Sequence, residues 1–600
     1  MAGPAESPAK PARPTSSIVG TPPPRTTQGE PRPSRMARRR AVVLVLVHVV
    51  VAVHIAHWLT TGRSASPVEP SEAHRLLQDG VLNTGAILLG LTVLSTLLLG
   101  RWFCGWACHV VALQDACAWL LGKIGIRPRP VRARVLMWVP ALAALDVFVL
   151  PRVFDALAGV PSPSFRAELT TDSLWATFPG PWMTAATLLV DGFLIVYLLG
   201  AKGFCTYGCP YGAIYGFADR FSKARIRVND ACEGCGHCTA TCTSNVDVRA
   251  EVARYGMVVD SGCMKCMDCV TVCPKSALSF GFTPASEKIA AKARGKKTRP
   301  TRRWDFTWPE EIAMGLVFLF SLYAFRGLYD AVPFLLAIGL AVIVAFTAVM
   351  WARVAFPRDV ELHGRALKRD GRLRPPGLAL LAIAPAFFGL TIHSGAVRIE
   401  RRLGERAFAR ADVLSRDAHT FASAEYEDAV ATALSHFENA GDWGLVDTFE
   451  LEHKLGTASI ALADRRGQAG REDERARLLA RGEQHLRRAL ELQPDAVFPR
   501  VRLAKLMVAD GRLGDATDVL ARALAIRPTL HEAADVAYGI VGIAPEMPGP
   551  RLLVVDYLTT TGDFENARNA LAPLLEHIPD APQVVARVQA LDRAEAEAAR

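Results

Sequence analysis

Residues 232–242 read Cys232-Glu-Gly-Cys235-Gly-His-Cys238-Thr-Ala-Thr-Cys242, and residues 263–274 read Cys263-Met-Lys-Cys266-Met-Asp-Cys269-Val-Thr-Val-Cys273-Pro274. Each run is C-x-x-C-x-x-C-x-x-x-C. The chain has 13 cysteines, all between Cys104 and Cys273, and these runs hold eight of them. Such density within a few turns of chain is metal spacing rather than a disulfide framework. It requires a compartment that keeps thiols reduced until metal arrives.

Iron in a cubane cluster is held by soft thiolates, and two-residue spacers let one loop wrap three of its corners. In two-cluster ferredoxins the fourth cysteine of each run crosses to the other cluster. That rule assigns Cys232, Cys235, Cys238 and Cys273 to one [4Fe–4S] cluster, and Cys263, Cys266, Cys269 and Cys242 to a second. Structural zinc uses C-x-x-C pairs set further apart. Thr243 stands where proline usually follows the fourth cysteine, which changes the turn and not the ligand count.

Outward from these runs the chain is apolar, 50% over its 600 residues. The apolar residues gather into stretches near the ~20 residues that cross a bilayer. Spans are expected at 41–60, 81–100, 135–150, 182–201, 312–325, 331–351 and 377–396. Arg35, Arg38, Arg39 and Arg40 precede the first, which reads as a retained span and not a signal peptide. Lys and Arg collect in the tail before residue 41, in loop 101–134 and in loop 352–376, whereas loops 61–80 and 151–181 carry two Arg and three acids each. The positive-inside rule then places the tail, both basic loops and segment 202–311 in the cytoplasm, and seven crossings put residues 398–600 outside. The net charge of +10 is therefore a topology signal, and no aromatic-interleaved basic face suggests nucleic acid.

The domains expected are a Pro/Arg-rich disordered tail (1–40), a four-span domain (41–201), a ferredoxin-type module (202–282), a basic linker (283–310), three further spans (311–397) and a helical domain (398–600). In the last, Arg488-Ala489-Leu490 with Pro494 recurs 34 residues on as Arg522-Ala523-Leu524 with Pro528, and a weaker copy, Gly562 to Pro579, follows after an extra 17 residues. That period resembles tetratricopeptide repeats, whose concave surfaces hold a protein or peptide ligand. The fold class is thus an all-α polytopic membrane protein with an inserted small α+β two-cluster module and a C-terminal α-solenoid.

Two further motifs sit just past span ends: Gly100-Arg-Trp-Phe-Cys104-Gly-Trp-Ala-Cys108-His109 and Gly203-Phe-Cys205-Thr-Tyr-Gly-Cys209-Pro210-Tyr-Gly-Ala-Ile-Tyr-Gly216. Their four thiols are candidates for a redox or metal role. Cys117 reads as packing. His54, His57 and His393 lie at similar depth near the outer ends of their spans, and are candidate haem b ligands or quinol proton acceptors. Asp146 and Asp191 lie inside spans, where they could relay protons or pair locally.

With both cysteine runs, the paired C-x-x-x-C motifs resemble the membrane polyferredoxins of nitrate and nitrous-oxide respiration (NapH and NosR type) and related proteins of cytochrome oxidase assembly. The resemblance covers about 40–282. His109 departs from the family's proline, and the repeat domain is not part of its common pattern. The resemblance implies a multi-pass bacterial inner-membrane protein that passes electrons between the quinone pool or a cytoplasmic donor and a respiratory or periplasmic redox partner, as a carrier or as a quinol dehydrogenase-like component. The alternative is a metal-handling or assembly factor whose thiols bind metal and whose repeats hold a client. No G-x-G-x-x-G or P-loop context points to a nucleotide site.

Overall fold

Every apolar stretch singled out in the sequence is helical in the computed structural model, which describes residues 16–19, 33–174, 180–284, 304–356 and 359–598. The first span lies within Arg35–Thr61, whose start is capped by the Ser34 hydroxyl and whose end is the left-handed Gly62. The second is Thr84–Leu99, capped by Asn83. At 16 residues it is about 24 Å long, short of a ~30 Å hydrocarbon core. The third runs from Leu136 to Phe148 and bends by 43° into Leu150–Leu157, where Pro151 removes a backbone donor. The fourth, Pro181–Leu199, contains one wide π turn over Leu188–Leu194. Trp308–Phe325, Phe334–Ala355 and Pro375–Leu414 complete the set. Five helices are long and apolar enough to cross a membrane, or six with the bent pair counted as one.

Apolar residues face lipid in one helix and protein in another. The first span exposes Val45, Leu46, Val50 and Val53, whereas Phe334–Ala355 buries Ile338, Ala341, Val342 and Phe346 at the centre of the bundle. A helix that is apolar all round tolerates either setting.

The loops segregate to two ends. At one end Arg40 pairs with Asp115, and so does Lys202. There the Arg132 amide donates to Asp305 at 2.8 Å, and the amides of Arg134 and Val135 donate to Glu311 at 2.9 Å each. Arg353 holds Glu310 at the same end. At the other end Ser64–Ala65 pairs with Thr170–Thr171, and Val81–Leu82 with Arg166–Ala167. Arg326 there binds Asp146 at 3.0 Å, so Asp146 is locally paired. The helix Trp308–Phe325 therefore runs from one end to the other.

Loop 352–376 has structure of its own: strands Asp359–Leu362, Arg365–Arg369 and Arg372–Leu373 form a meander, with Ser16–Val19 added in parallel. Its turns are His363-Gly364 and Asp370-Gly371, all four with positive φ, the conformation of tight hairpin turns. The tail is also not wholly structureless, since it supplies that strand and the first helix begins at Arg35. Most of the expected linker, residues 285–303, lies outside the described residues.

The chain divides into two units, 1–395 and 396–600. In the second, nine helices follow one another among the described residues from Ala424–Asp442 to Pro582–Ala598. Ala489 and Ala523, one period apart, are both fully buried. Pro494, Pro528 and Pro579 each fall two residues beyond a helix end, at Leu492, Ile526 and His577. The extra 17 residues before the third copy accommodate one additional helix, since His531–Ile543 and Pro548–Thr561 both lie between Leu513–Ile526 and Phe564–His577.

His363 tests how the strand meander is fastened. Its Nδ1 accepts the Arg129 amide at 3.0 Å and its Nε2 lies 3.1 Å from the Leu198 carbonyl, an arrangement that needs a neutral ring. Burial lowers its pKa to about 4 from 6.5. The unfolded chain then binds the proton first, so stability falls as pH drops through 6.5 toward 4. The protection factor of the Arg129 amide, its exchange relative to an unstructured chain at the same pH, is expected to fall between pH 7 and pH 5, and His363→Gln should flatten that dependence.

Candidate functional site

Strands Ala224–Val228 and Leu278–Phe282 pair antiparallel and bracket both cysteine runs. Between them the chain repeats its own geometry. Gly234, Gly236 and Asn245 have positive φ, and so do Lys265, Met267 and Ser276, at the same offsets from Cys232 and Cys263. Alternating left-handed residues turn successive backbone N–H groups to one side and make a concavity suited to an anion or an iron–sulfur group. Cys232, Cys235, Cys238 and Cys273 line one such cavity, of about 420 Å³. Cys242, Cys263, Cys266 and Cys269 line a second, of about 370 Å³, with Ile226, Val246 and Val258 among its apolar walls.

Each cavity therefore takes three cysteines from one run and the last cysteine of the other. Burial pushes the Cys238 thiol up to about 11 and Cys242 up to about 12. Such sulfurs stay protonated at neutral pH unless a bound metal displaces the proton. Among the described residues, no three His, Cys, Asp or Glu groups converge as a single metal ion requires. The donor set is all-sulfur and lines space larger than an ion, which fits a cluster better than zinc.

The two C-x-x-x-C motifs fold alike. Cys104 lies in the short helix Trp102–Trp106, and Cys108 is the extended residue that starts His109–Lys123. Cys205 lies in Gly203–Tyr207, and Cys209 starts Pro210–Asp219. In the first the amides of Ala107 and Cys108 both donate to the Phe103 carbonyl; in the second those of Gly208 and Cys209 both donate to Phe204. His109 occupies the position that Pro210 takes in the other motif, where no intrahelical donor is needed, so the departure leaves the geometry intact.

All four thiols are drawn together. Every pair among them is close enough for their charges to interact. Arg101 Nε donates to Cys104 Sγ at 3.2 Å and Gln114 Nε2 to Cys205 Sγ at 3.1 Å. Cys117 packs apart from them, against Leu121 and Val196.

The second run docks directly on the first motif. Trp106 Nε1 donates to the Lys265 carbonyl at 3.0 Å. A side chain at Gly105 would strike the Met264 carbonyl, and one at Gly100 the Lys265 side chain. Asp219, fully buried, accepts from Arg225 at 2.7 Å, from Lys265 at 2.9 Å and from the Arg101 amide at 3.0 Å. Asp268 accepts from Ser34 at 2.6 Å and Arg40 at 2.7 Å.

Profile comparisons match this architecture. A 4Fe-4S binding domain profile matches 84–127 and 182–229, which hold the two C-x-x-x-C motifs, and a 4Fe-4S dicluster domain profile matches 231–278. The methylamine utilization ferredoxin-type protein MauN of Methylorubrum extorquens is 32% identical over 222 residues, 34% of this chain and 73% of that protein. The chain belongs to the NapH/MauN-type family of ferredoxin-type 4Fe–4S membrane proteins.

The family assignment rests on the N-terminal part of the chain. The ferredoxin-type protein NapH of Haemophilus influenzae is 28% identical over 217 residues, 35% of this chain and 71% of that one. A putative electron transport protein of Escherichia coli, YccM, is 29% identical over 220 residues, 35% of this chain and 59% of that protein. As a NapH/MauN-type protein the chain is a ferredoxin-type iron–sulfur electron-transport protein with membrane helices.

The remaining candidates are placed less closely. His54 Nε2 lies 3.0 Å from the Ala65 carbonyl and His57 Nδ1 lies 3.2 Å from Ser64 Oγ, so both imidazoles fasten the loop after the first span. His393 is on another helix and its Nε2 has no partner among the described residues. No hydrogen bond among the described residues joins it to the other two. Asp191 is buried in the π turn against Gly339, its oxygens unpartnered among the described residues. Sequence reasoning missed Arg40, Arg101, Gln114, Asp219 and Lys265. The one local signal was charge at Lys265 and Asp268 inside a run of buried ligands.

Asp219 holds two buried cations, and removing one partner of a buried pair costs about 3–5 kcal/mol. Asp219→Asn is expected to lower the melting temperature of detergent-solubilised protein accordingly. Exposed Asp230→Asn should stay within about 0.5 kcal/mol.

Proposed function

We propose that this protein is a membrane electron carrier with two [4Fe–4S] clusters in series. Cys232, Cys235, Cys238 and Cys273 would hold one, and Cys263, Cys266, Cys269 and Cys242 the other. The observation that carries this is the exchange of the fourth cysteine between the two cavities. Bound there, the clusters supply one-electron acceptance and release. The chain's own part is to orient eight sulfurs, aim backbone donors through the left-handed residues, and exclude water with Ile226, Val246, Val248 and Val258. Lys265 and Arg40 add positive charge at the second cavity, which favours its reduced state.

The electrons run between the quinone pool, or a cytoplasmic donor, and a respiratory redox partner. Segregation of the basic loops with the cysteine module supports a cytoplasmic module. The fifth helix, running end to end, supports seven crossings and a periplasmic repeat domain. Buried Ala489 and Ala523 at one period support tetratricopeptide-like packing that holds a protein or peptide partner.

Two measurements test this. Anaerobically purified protein should contain at least about eight irons and eight sulfides, two cubanes' worth; stoichiometric zinc without sulfide overturns it. In redox-poised EPR, Cys273→Ala should alter the signal of the cluster on Cys232, Cys235 and Cys238 and spare the other. An effect confined to the cluster on Cys263, Cys266 and Cys269 would contradict the exchange. For topology, alkaline phosphatase fused after residue 600 should be active, and fused to a chain ending at residue 283, inactive. The reverse pattern would sink the orientation.

A further inference from the structure

The four C-x-x-x-C thiols need an explanation beyond packing. Three observations bear on them together. They come from two motifs far apart in sequence that fold alike and converge: Cys104, Cys108 and Cys205 pack in one cluster with Phe103 and Met264, and a side chain at Gly212 would meet Arg101, the Cys205 carbonyl and Cys209 together. They are nonetheless not gathered as a single metal ion would require. A four-iron cubane takes four thiolates and spaces them further apart than a single ion does.

The second observation is Arg101. Its guanidinium belongs to a residue only 6% exposed, yet it has no carboxylate partner among the described residues. Its hydrogen bond goes to Cys104 Sγ, and the charges it faces are those of Cys104, Cys205 and Cys209. A buried cation aimed at neutral thiols would be costly. Aimed at thiolates it is balanced.

Third, a second donor also points at sulfur. Gln114, fully buried, gives its Nε2 hydrogen to Cys205. Donors placed around sulfur are how a protein tunes a bound cluster.

We infer that Cys104, Cys108, Cys205 and Cys209 hold a third [4Fe–4S] cluster at the membrane end of the module, with Arg101 as its charge partner. It stands in series with the cluster of Cys263, because Met264 packs with Cys104 and Cys205 on one side and lines the second cavity on the other. The proposal rests on the electron-transfer reading above and adds to it a centre at the face where the spans end.

Iron, zinc and acid-labile sulfide in the anaerobically purified full chain decide the matter. About twelve irons and twelve sulfides are expected in the wild type, three cubanes' worth, and about eight of each in the Cys104→Ala/Cys205→Ala variant. Wild-type protein with eight irons overturns the third cluster and leaves the two-cluster reading standing; with four or fewer, both fall. One zinc per chain that disappears in the variant also overturns it. A second variant does not depend on ligand loss: Arg101→Gln should lower the midpoint potential of one of three EPR signals, since a positive charge favours the reduced cluster. Arg101→Lys should restore it. Potentials unchanged in Arg101→Gln would overturn the role of Arg101.

Discussion

The carboxylate of Asp219 is the point on which the architecture around the cysteine module turns. It lies at the end of the helix that Cys209 starts, and accepts hydrogen bonds from the strand entering the module, from the second cysteine run and from the first C-x-x-x-C motif. Three segments distant in sequence are thereby fixed around one buried charge. The surrounding balance is uneven. Arg40, Arg101, Lys202, Arg225 and Lys265 are buried cations at this face, against Asp115, Asp219 and Asp268. An excess of buried positive charge is unfavourable by itself. It becomes complementary once thiolate-ligated clusters stand beside it, because a cubane with four thiolates carries net negative charge.

The glycines of the first motif follow from the same contact. A side chain at Gly105 would strike the Met264 carbonyl and one at Gly100 the Lys265 side chain; in the second motif, one at Gly212 would come within 2.9 Å of Arg101 Nη2 and of the Cys205 carbonyl. The absence of a side chain permits backbone-to-backbone approach, and Met264 of the second run packs with Cys104 and Cys205. Composition that reads locally as turn-forming is here a docking surface.

What could be read from the sequence was what short separations encode. The cysteine runs declare a cluster module because ligands to one loop must be close neighbours along the chain. Spans declare themselves because lipid imposes continuous apolarity. Asp219 reaches Lys265 across 46 residues and the Arg101 amide across 118, and Gln114 reaches Cys205 across 91, separations that nothing in their immediate neighbours announces. The strand meander is legible in Asp370-Gly371, a strong hairpin signal, although the lysines and arginines around it equally mark a loop at a membrane face. The bend after Phe148 likewise follows from Pro151. The π turn at Asp191 has no sequence mark, since a wide turn reflects how the fourth span meets Gly339.

The three thiol groups differ in their access to solvent, and this orders them. Cys232 is exposed and Cys269 buried. The cavity with Cys232 thus has a ligand at the surface, whereas the cavity with Cys269 shares Met264 with the motif at the span ends. The C-x-x-x-C thiols are deeper still, in contact with Met264, Phe103 and Tyr215. An electron entering from the membrane side would thus meet the quartet first, then the cavity of Cys263, then that of Cys232. Because Cys242 lines the cavity of the second run and Cys273 that of the first, the two cavities share both stretches of backbone. The Asp219 node joins the first pair, through charge rather than sulfur. Rigid spacing of this kind suits electron transfer, which has no need of moving parts, and it explains why so many buried ions are spent on holding one loop still.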